Sequence, residues 1–408
     1  MSAAEAGSEP GRPARAAGSA WRLVAPAMFA VAWAGNEFTP LLVLYKRLNG
    51  YGTGTVDVLL GAYVLGIVPA LLLGGPLSDR YGRRPLFLPA PFLAMAGSLV
   101  LAFGHSQVGL LFAGRVLCGV ALGLTMAVGT SWVVELSRRE PGADAGAGAR
   151  RASLSLTAGF ALGAGVAAAL AQWGPWPRST PFLVNVAVTA GPAVLALRAP
   201  ETRAAVRSSA RLVDDLRVPS ALHRRFVRVV VPMGPWVFGC AASAYAVVPT
   251  VTTALATGWD VAYSGLLCLV GLGCGAVVQS LARPIVARGS GRAIGAGLVL
   301  VATGMVLAAW TVARPHLALA VLTAVVLGCA YGLLLVAGLT EVQRIAGPDD
   351  LAGLTAVYYT LTYVGFFVPV VLAVLAVHVS YAALFAAGVV VAGVCLAVVA
   401  TGRARPAR

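Results

Sequence analysis

The sequence predicts an all-α integral membrane protein of twelve transmembrane helices, and three observations carry that prediction. Of 408 residues, 59% are hydrophobic and only 11% charged, whereas a soluble domain is about a quarter charged. A surface that poor in charge is tolerated by lipid, which apolar side chains face without cost. Apolar runs of about twenty residues, the length needed to cross the hydrocarbon, recur along the chain. Lysine and arginine fall between those runs and alternate strongly from one side to the other, which is a topology signal.

Taken in order, the spans lie at residues 22–46, 55–77, 86–104, 108–134, 153–172, 180–198, 227–249, 261–282, 293–312, 317–340, 351–377 and 380–402. Residues 1–21, rich in Ala, Gly, Ser, Pro and Arg, read as a disordered cytoplasmic tail. The run from Trp21 is long enough to span, so a cleaved signal peptide is not expected. An even number of crossings puts both termini on one side. With that side inside, 25 of the 30 Lys and Arg lie inside; Lys46, Arg47, Arg178 and Arg314 lie outside, and Arg115 lies within a helix. The expected location is the plasma (inner) membrane, multi-pass, with both termini cytoplasmic and a short tail at 403–408. The same split explains the formal net charge of +15. The basic residues form short clusters between apolar runs and do not interleave with aromatics, so no nucleic-acid partner is expected.

The longest connection, 199–226, is Arg-rich, contains Asp214, Asp215 and Pro219, and reads as a cytoplasmic linker. It divides the spans into an N-terminal set of six (22–198) and a C-terminal set of six (227–402). The halves echo one another at an offset of 209 residues: Gly66 meets Gly275, Gly82 meets Gly291, Arg83 meets Arg292, Gly119 meets Gly328, Gly123 meets Gly332 and Gly129 meets Gly338. Chance supplies some coincidences in a chain with 48 glycines. These, however, fall at equivalent places in spans two, four, eight and ten, as parallel six-helix repeats require. The six cysteines all lie in apolar runs with no C-x-x-C or Cys/His cluster, so neither a metal site nor a disulfide framework is expected.

Between spans two and three the chain reads Gly75-Pro76-Leu77-Ser78-Asp79-Arg80-Tyr81-Gly82-Arg83-Arg84-Pro85. Gly75 lets another backbone approach a helix end, and Gly82 permits a sharp reversal into the next span. Asp79 is a lone carboxylate among three arginines. It can accept charge-assisted hydrogen bonds or cap a neighbouring helix N-terminus, a contact able to hold one conformation and release in another. This segment resembles the G-x-L-a-D-r-x-G-r-r signature of the major facilitator superfamily and matches every fixed position. Gly114-Arg115-Val116-Leu117-Cys118-Gly119 is similar to the family's fourth-helix motif, and Pro200-Glu201-Thr202-Arg203 to the segment that follows its sixth helix. Residues 283–292 read as a degraded second copy, with Gly291 and Arg292 kept and Arg288 opposite Asp79. The resemblance implies two six-helix bundles around a central cavity, with Gly75, Leu77, Asp79, Arg80, Gly82, Arg83 and Arg84 as the gating motif. The family's antiporters often carry a Gly-Pro pair in the fifth helix; none occurs between Ser153 and Gln172.

Charge at bilayer depth is costly and marks candidate function. Glu37, beside Asn36 in the first span, is a proton-coupling candidate, neutral when dry and ionised when wet; alternatively it is solvated at the outer boundary or paired with Lys46 or Arg47. Arg115 must face a carboxylate, carbonyls or water if buried, or else snorkels to an interface; the resemblance implies a role in coupling protonation to conformation. Glu135, at the inner end of span four, either pairs with Arg80 or Arg83 or is solvated. Asn36, Asn185, Tyr245, Tyr359, Tyr363 and Phe366 are the substrate-cavity candidates, with Tyr358 and Trp236 considered beside them; Asn185 could instead bond a neighbouring helix, and aromatics in spans also pack or face lipid. The four histidines lie at span ends or in loops and carry no assigned role.

The leading functional expectation is a monomeric secondary transporter working by alternating access, driven by protons and free of cofactors, that exports a drug-like or metabolite small molecule. An importer of a small polar metabolite is the alternative, and would usually place more charge or amide groups in its cavity. A membrane transferase is a distant third: its only paired carboxylates, Asp214–Asp215 and Asp349–Asp350, fall in loops. A nucleotide-driven pump is disfavoured, because no G-x-x-x-x-G-K-[ST] occurs.

Overall fold

A backbone in lipid has no water to satisfy its N–H and C=O groups, so each long apolar run closes its hydrogen bonds within a helix. The computed structural model describes residues 19–142, 147–204, 218–282, 284, 286, 289–347 and 351–403. Most of the N-terminal tail, the end of the C-terminal tail, much of the linker with Asp214 and Asp215, and Arg288, Asp349 and Asp350 lie outside them.

Among the described residues, eleven helices are long and apolar enough to cross a membrane: α1 (Trp21–Asn49), α2 (Thr53–Tyr81), α3 (Arg83–Phe103), α4 (Val108–Arg138), α5 (Ala147–Trp173), α7 (Phe226–Leu255), α8 (Asp260–Leu281), α9 (Ser290–Ala313), α10 (Leu317–Ile345), α11 (Gly353–Leu375) and α12 (Tyr381–Gly402). α6 (Thr180–Ala196), of 17 residues, is shorter and fills the place of the sixth span. No strand occurs among the described residues. Several helices outrun their apolar runs: α1 reaches Asn49, α4 reaches Arg138, and α5 begins at Ala147. The added turns are polar, so hydropathy does not register them, although their backbone hydrogen bonds continue the helix.

Two bundles form, α1–α6 and α7–α12. In the first, α2 packs along α4; in the second, α8 packs along α10. Both crossings are so close that a side chain cannot fit. A Cβ at Gly119 would stand 2.1 Å from the Tyr63 carbonyl oxygen, and one at Gly332 would stand 2.2 Å from the Gly275 carbonyl oxygen. Gly66, Gly119 and Gly123 lie at the first crossing, and their partners in the sequence repeat, Gly275, Gly328 and Gly332, lie at the second, so these three pairs perform the same packing in each half.

The bundles meet where α5 lies on α8 and where α2 lies on α11. Contact is tight at the end remote from the Gly82 turn. There Arg47 Nη1 is 2.5 Å from Asp260 Oδ1. Gln172 of α5 accepts from the Val261 and Ala262 amides, each at 3.1 Å, and donates to the Gly258 carbonyl at 2.9 Å. That side chain caps the first turn of α8 from the other bundle, answering donors the helix itself leaves open. At the Gly82 end a cleft of about 500 Å³ separates α2 and α4 from α11. The structure is thus closed at one end and parted at the other.

The glycine crossings set a stability test. Gly119→Val or Gly332→Val forces backbone apart and is expected to cost about 1–3 kcal/mol. Gly273→Val, whose side-chain direction is open within 4 Å, is expected to leave stability unchanged. Thermal unfolding of the purified protein in detergent checks this.

Candidate functional site

The turn after α2 depends on one backbone conformation. Gly82 has φ 98° and ψ 161° and donates its amide to the Ser78 carbonyl at 3.1 Å, a region that residues with a Cβ avoid. A Cβ there would also lie 2.6 Å from Glu201 Oε2. The reversal points the first amides of α3 at that carboxylate. Glu201 accepts from the backbone N–H groups of Arg83 (3.0 Å), Arg84 (2.9 Å), Thr202 (2.9 Å) and Arg203 (3.1 Å). Partial burial raises its pKa, but the four donors outweigh burial and hold it below the usual carboxylate range. Trp132 Nε1 anchors the segment by donating to the Pro200 carbonyl at 3.1 Å.

Arg83, nearly buried, is the hub of this end. It contacts Asp79 Oδ1 at 2.8 Å, Glu135 Oε1 at 2.9 Å and Ser78 Oγ at 2.6 Å. Glu135 accepts from Thr202 as well, and Arg203 reaches Asp79 Oδ1 at 3.1 Å. Of the two partners expected for Glu135, the contacts show Arg83. Arg84 points away to the Leu197 carbonyl at 2.7 Å, while Leu77 and Arg80 stand half-buried on the same turn of α2.

These contacts all lie within the first bundle. Asp79 lines the cleft, as do Leu351 and Thr355 at the start of the α11 segment, but its carboxylate is held by Arg83 and Arg203. Gly75 faces open space, with nothing within 4 Å of its side-chain direction. Among the described residues, the contacts of the Asp79 carboxylate are with Arg83 and Arg203 and none is with the second bundle. The second bundle holds its own cluster: buried Glu341 accepts from Ser290 and Arg225, and Arg344 donates to Ser290 Oγ at 2.9 Å. The acceptor expected of a second motif copy is therefore supplied from α10.

The second locus is deep in the first bundle, at a break in α1. Pro40 has no amide to offer the Asn36 carbonyl, and the Thr39 amide turns to that carbonyl instead, at 3.3 Å. The Gly35 carbonyl is left for another donor, and Arg115 fills the role, with bonds of 3.3 Å to the Gly35 and Leu59 carbonyls. The guanidinium also lies 4.8 Å over the Phe38 ring and 4.3 Å over the Tyr63 ring. Arg115 is 1% exposed, so it does not snorkel.

Glu37 is fully buried and pairs with neither Lys46 nor Arg47. Its Oε1 lies 3.0 Å from Ser98 Oγ, which lies 3.0 Å from Asn185 Oδ1. Asn185 is oriented by its own donation to the Ala30 carbonyl at 3.0 Å. Glu37 Oε2 is buried without a hydrogen-bond partner. Of the two places open to Asn185, a cavity wall or a bond to a neighbouring helix, the structure shows the second: its amide is consumed on α1 and fixes this chain of polar groups.

Asn36, which donates to the Phe160 carbonyl at 3.1 Å and to Cys268 Sγ of the other bundle at 3.6 Å, does face the central chamber. With it stand three of the cavity candidates, Tyr245, Tyr363 and Phe366, together with Arg115, and also Tyr63, Phe238 and Tyr331, which sequence reasoning missed. Phe238 stacks on Tyr363 at 4.6 Å and on Phe366 at 5.0 Å. The chamber measures about 20 Å³, room for one water molecule, so the aromatic rings close it in this conformation. Tyr359 does not line it but faces the cleft at the Gly82 end, because it lies one helical turn before Tyr363 and nearer that end. Tyr358 is spent on the Leu334 and Leu335 carbonyls.

Glu201 sets a pH test. Because its folded pKa is depressed, its contribution to stability is fully present above the usual carboxylate range and is lost as pH falls through its lowered value. Glu201→Gln is expected to cost about 1 kcal/mol at neutral pH, allowing for partial exposure. The gap in unfolding midpoint between the two proteins should shrink on acidification.

Comparison with known proteins places this geometry. The human solute carrier family 2 facilitated glucose transporter member 12 is 33% identical over 96 residues, 24% of this chain and 15% of that protein. The D-xylose transporter of Levilactobacillus brevis is 30% identical over 97 residues, 24% of this chain and 21% of that protein. The chain thus spans a small part of the length of these relatives. Solved structures share the fold at low identity. The nucleoside transporter NupG superposes with a TM-score of 0.71 at 12% identity, covering 96% of this chain and 100% of that one. The human organic anion transporter MFSD10 (TETRAN) superposes with a TM-score of 0.67 at 18% identity, covering 95% and 100%. The family model described as Major Facilitator Superfamily matches residues 24–368, most of the sequence, and the chain belongs to that superfamily of membrane transporters.

Proposed function

We propose that the protein is a proton-coupled secondary transporter that works by rocking its two bundles about the aromatic chamber, with Glu37 as the proton site. The observation that carries this reading is a count of protons. Ser98 has one hydroxyl proton and lies 3.0 Å from two oxygens, Glu37 Oε1 and Asn185 Oδ1, and Asn185 cannot turn its amide because it is held on Ala30. A proton on Glu37 satisfies both contacts: Glu37 donates to Ser98, and Ser98 donates to Asn185. A carboxylate would leave one contact unanswered in a dry interior, which is costly. When the rings part and water reaches it, Glu37 can ionise, with Arg115, which lines the chamber, as the nearby counter-charge.

Direction and cargo belong to the same proposal. The chamber wall is mainly aromatic, which favours a drug-like or amphiphilic metabolite, and we read the transport as efflux. The arginine distribution supports a cytoplasmic Gly82 end, and we read the protein as a plasma-membrane monomer. Import of a small polar metabolite is the second reading, favoured by the partial matches to proteins named as glucose and D-xylose transporters.

Everted vesicles with an imposed pH gradient test the coupling. Gradient-driven uptake is expected from the unaltered protein, while Glu37→Gln should lose it and keep gradient-independent exchange. Full coupled transport by Glu37→Gln would remove Glu37 from the mechanism. Uptake into intact cells in place of vesicles would establish import.

A further inference from the structure

Tyr245 lines two spaces: the central chamber, and a vestibule of about 330 Å³ at the end remote from Gly82. Both bundles contribute to the vestibule, with Lys46, Arg47 and Asp57 on one side and Asp260 and Ser264 on the other. Arg47 and Asp260 neutralise each other at 2.5 Å. Lys46 and Asp57 attract one another across the vestibule but form no ion pair at contact distance. Lys46 Nζ donates to Thr53 Oγ1 at 3.1 Å, a neutral partner. Asp57 is 3% exposed and lines the vestibule, with no hydrogen bond or ion pair to its carboxylate among the described residues. Ser264 Oγ is buried without a hydrogen-bond partner.

A carboxylate this buried is costly unless something answers it, and a concave space of this size with a few converging polar groups is the form of a small-ligand site. We propose that the vestibule binds a small zwitterion, its ammonium on Asp57, its carboxylate on Lys46, and Ser264 offering one further hydrogen bond. A ligand of both signs answers both groups at contact distance, whereas an anion alone draws Lys46 away from Asp57 and a cation alone draws Asp57 away from Lys46. Tyr245 is the partition between this outer site and the chamber, so the vestibule is a stage on the path of cargo. The inference deepens the transport reading by naming a substrate class and rests on that reading for passage, not for binding.

Calorimetric titration of the purified full chain in detergent tests it with four ligands of matched size: 4-aminobutyrate, butylamine, butyrate and 1-butanol. The zwitterion should bind at least about tenfold more tightly than the other three, the scale of one charged hydrogen bond. Asp57→Asn and Lys46→Gln should each remove that preference, and Glu37→Gln should keep it. Equal binding of all four, no binding of the zwitterion to the unaltered chain, or an unchanged preference in Asp57→Asn would overturn the proposal. The comparison on the unaltered chain needs no variant to fold. Loss of pH-driven transport in Glu37→Gln with zwitterion binding intact bears on the proton site alone. Coupled transport without zwitterion binding refutes the vestibule alone.

Discussion

Lipid offers no water to a polar group, and that constraint governs the interior of this protein. A break in α1 frees a carbonyl, and a buried guanidinium is the donor that answers it. Arg115 is in turn possible there because two carbonyls and two aromatic faces stand in for hydration. Glu37, two residues beyond Gly35, is drawn into the same dry region and held by a hydroxyl and an oriented amide. The proposed proton site is thus a consequence of local backbone chemistry at Asn36–Pro40, not an isolated acidic residue.

The motif end works differently. Its charges lie at the edge of the membrane-spanning region and are arranged so that each bundle is internally satisfied. Glu201 closes the α2–α3 turn by taking four backbone donors, and Arg83 gathers Asp79 and Glu135. In the second bundle Glu341 does the corresponding work with Ser290 and Arg225. None of these contacts spans the cleft, so none is broken where the cleft stands open. Across the opposite end, by contrast, Arg47, Asp260 and Gln172 join the bundles. Alternation between these two sets of contacts is the physical content of rocking.

Much of this was legible in the sequence. Helices follow from apolar run length, and the α2–α3 turn follows from Gly82 with its flanking arginines. The α2–α4 and α8–α10 crossings are visible as glycines repeated between halves. Helix ends were less legible, because polar terminal turns carry no hydropathy signal. The site was half-legible. Composition shows that Glu37 and Arg115 are anomalous, but not that Ser98 and Asn185 join them, since those contacts depend on which helix faces which. For the same reason Tyr63, Phe238 and Tyr331 went unnoticed while Tyr359 and Asn185 stood among the cavity candidates. Glu201 stood in a segment noticed for its resemblance, yet its function, filling the space that Gly82 leaves, is visible only in three dimensions.

The central claim is that Glu37 carries a proton in the conformation closed at the Arg47–Asp260 end. Infrared difference spectroscopy between the unaltered protein and Glu37→Gln at neutral pH addresses it most directly. The account predicts a protonated-carboxyl stretching band that is present in the unaltered protein and absent from the variant. A carboxylate band in its place, with no carboxylic-acid signal lost, would contradict it.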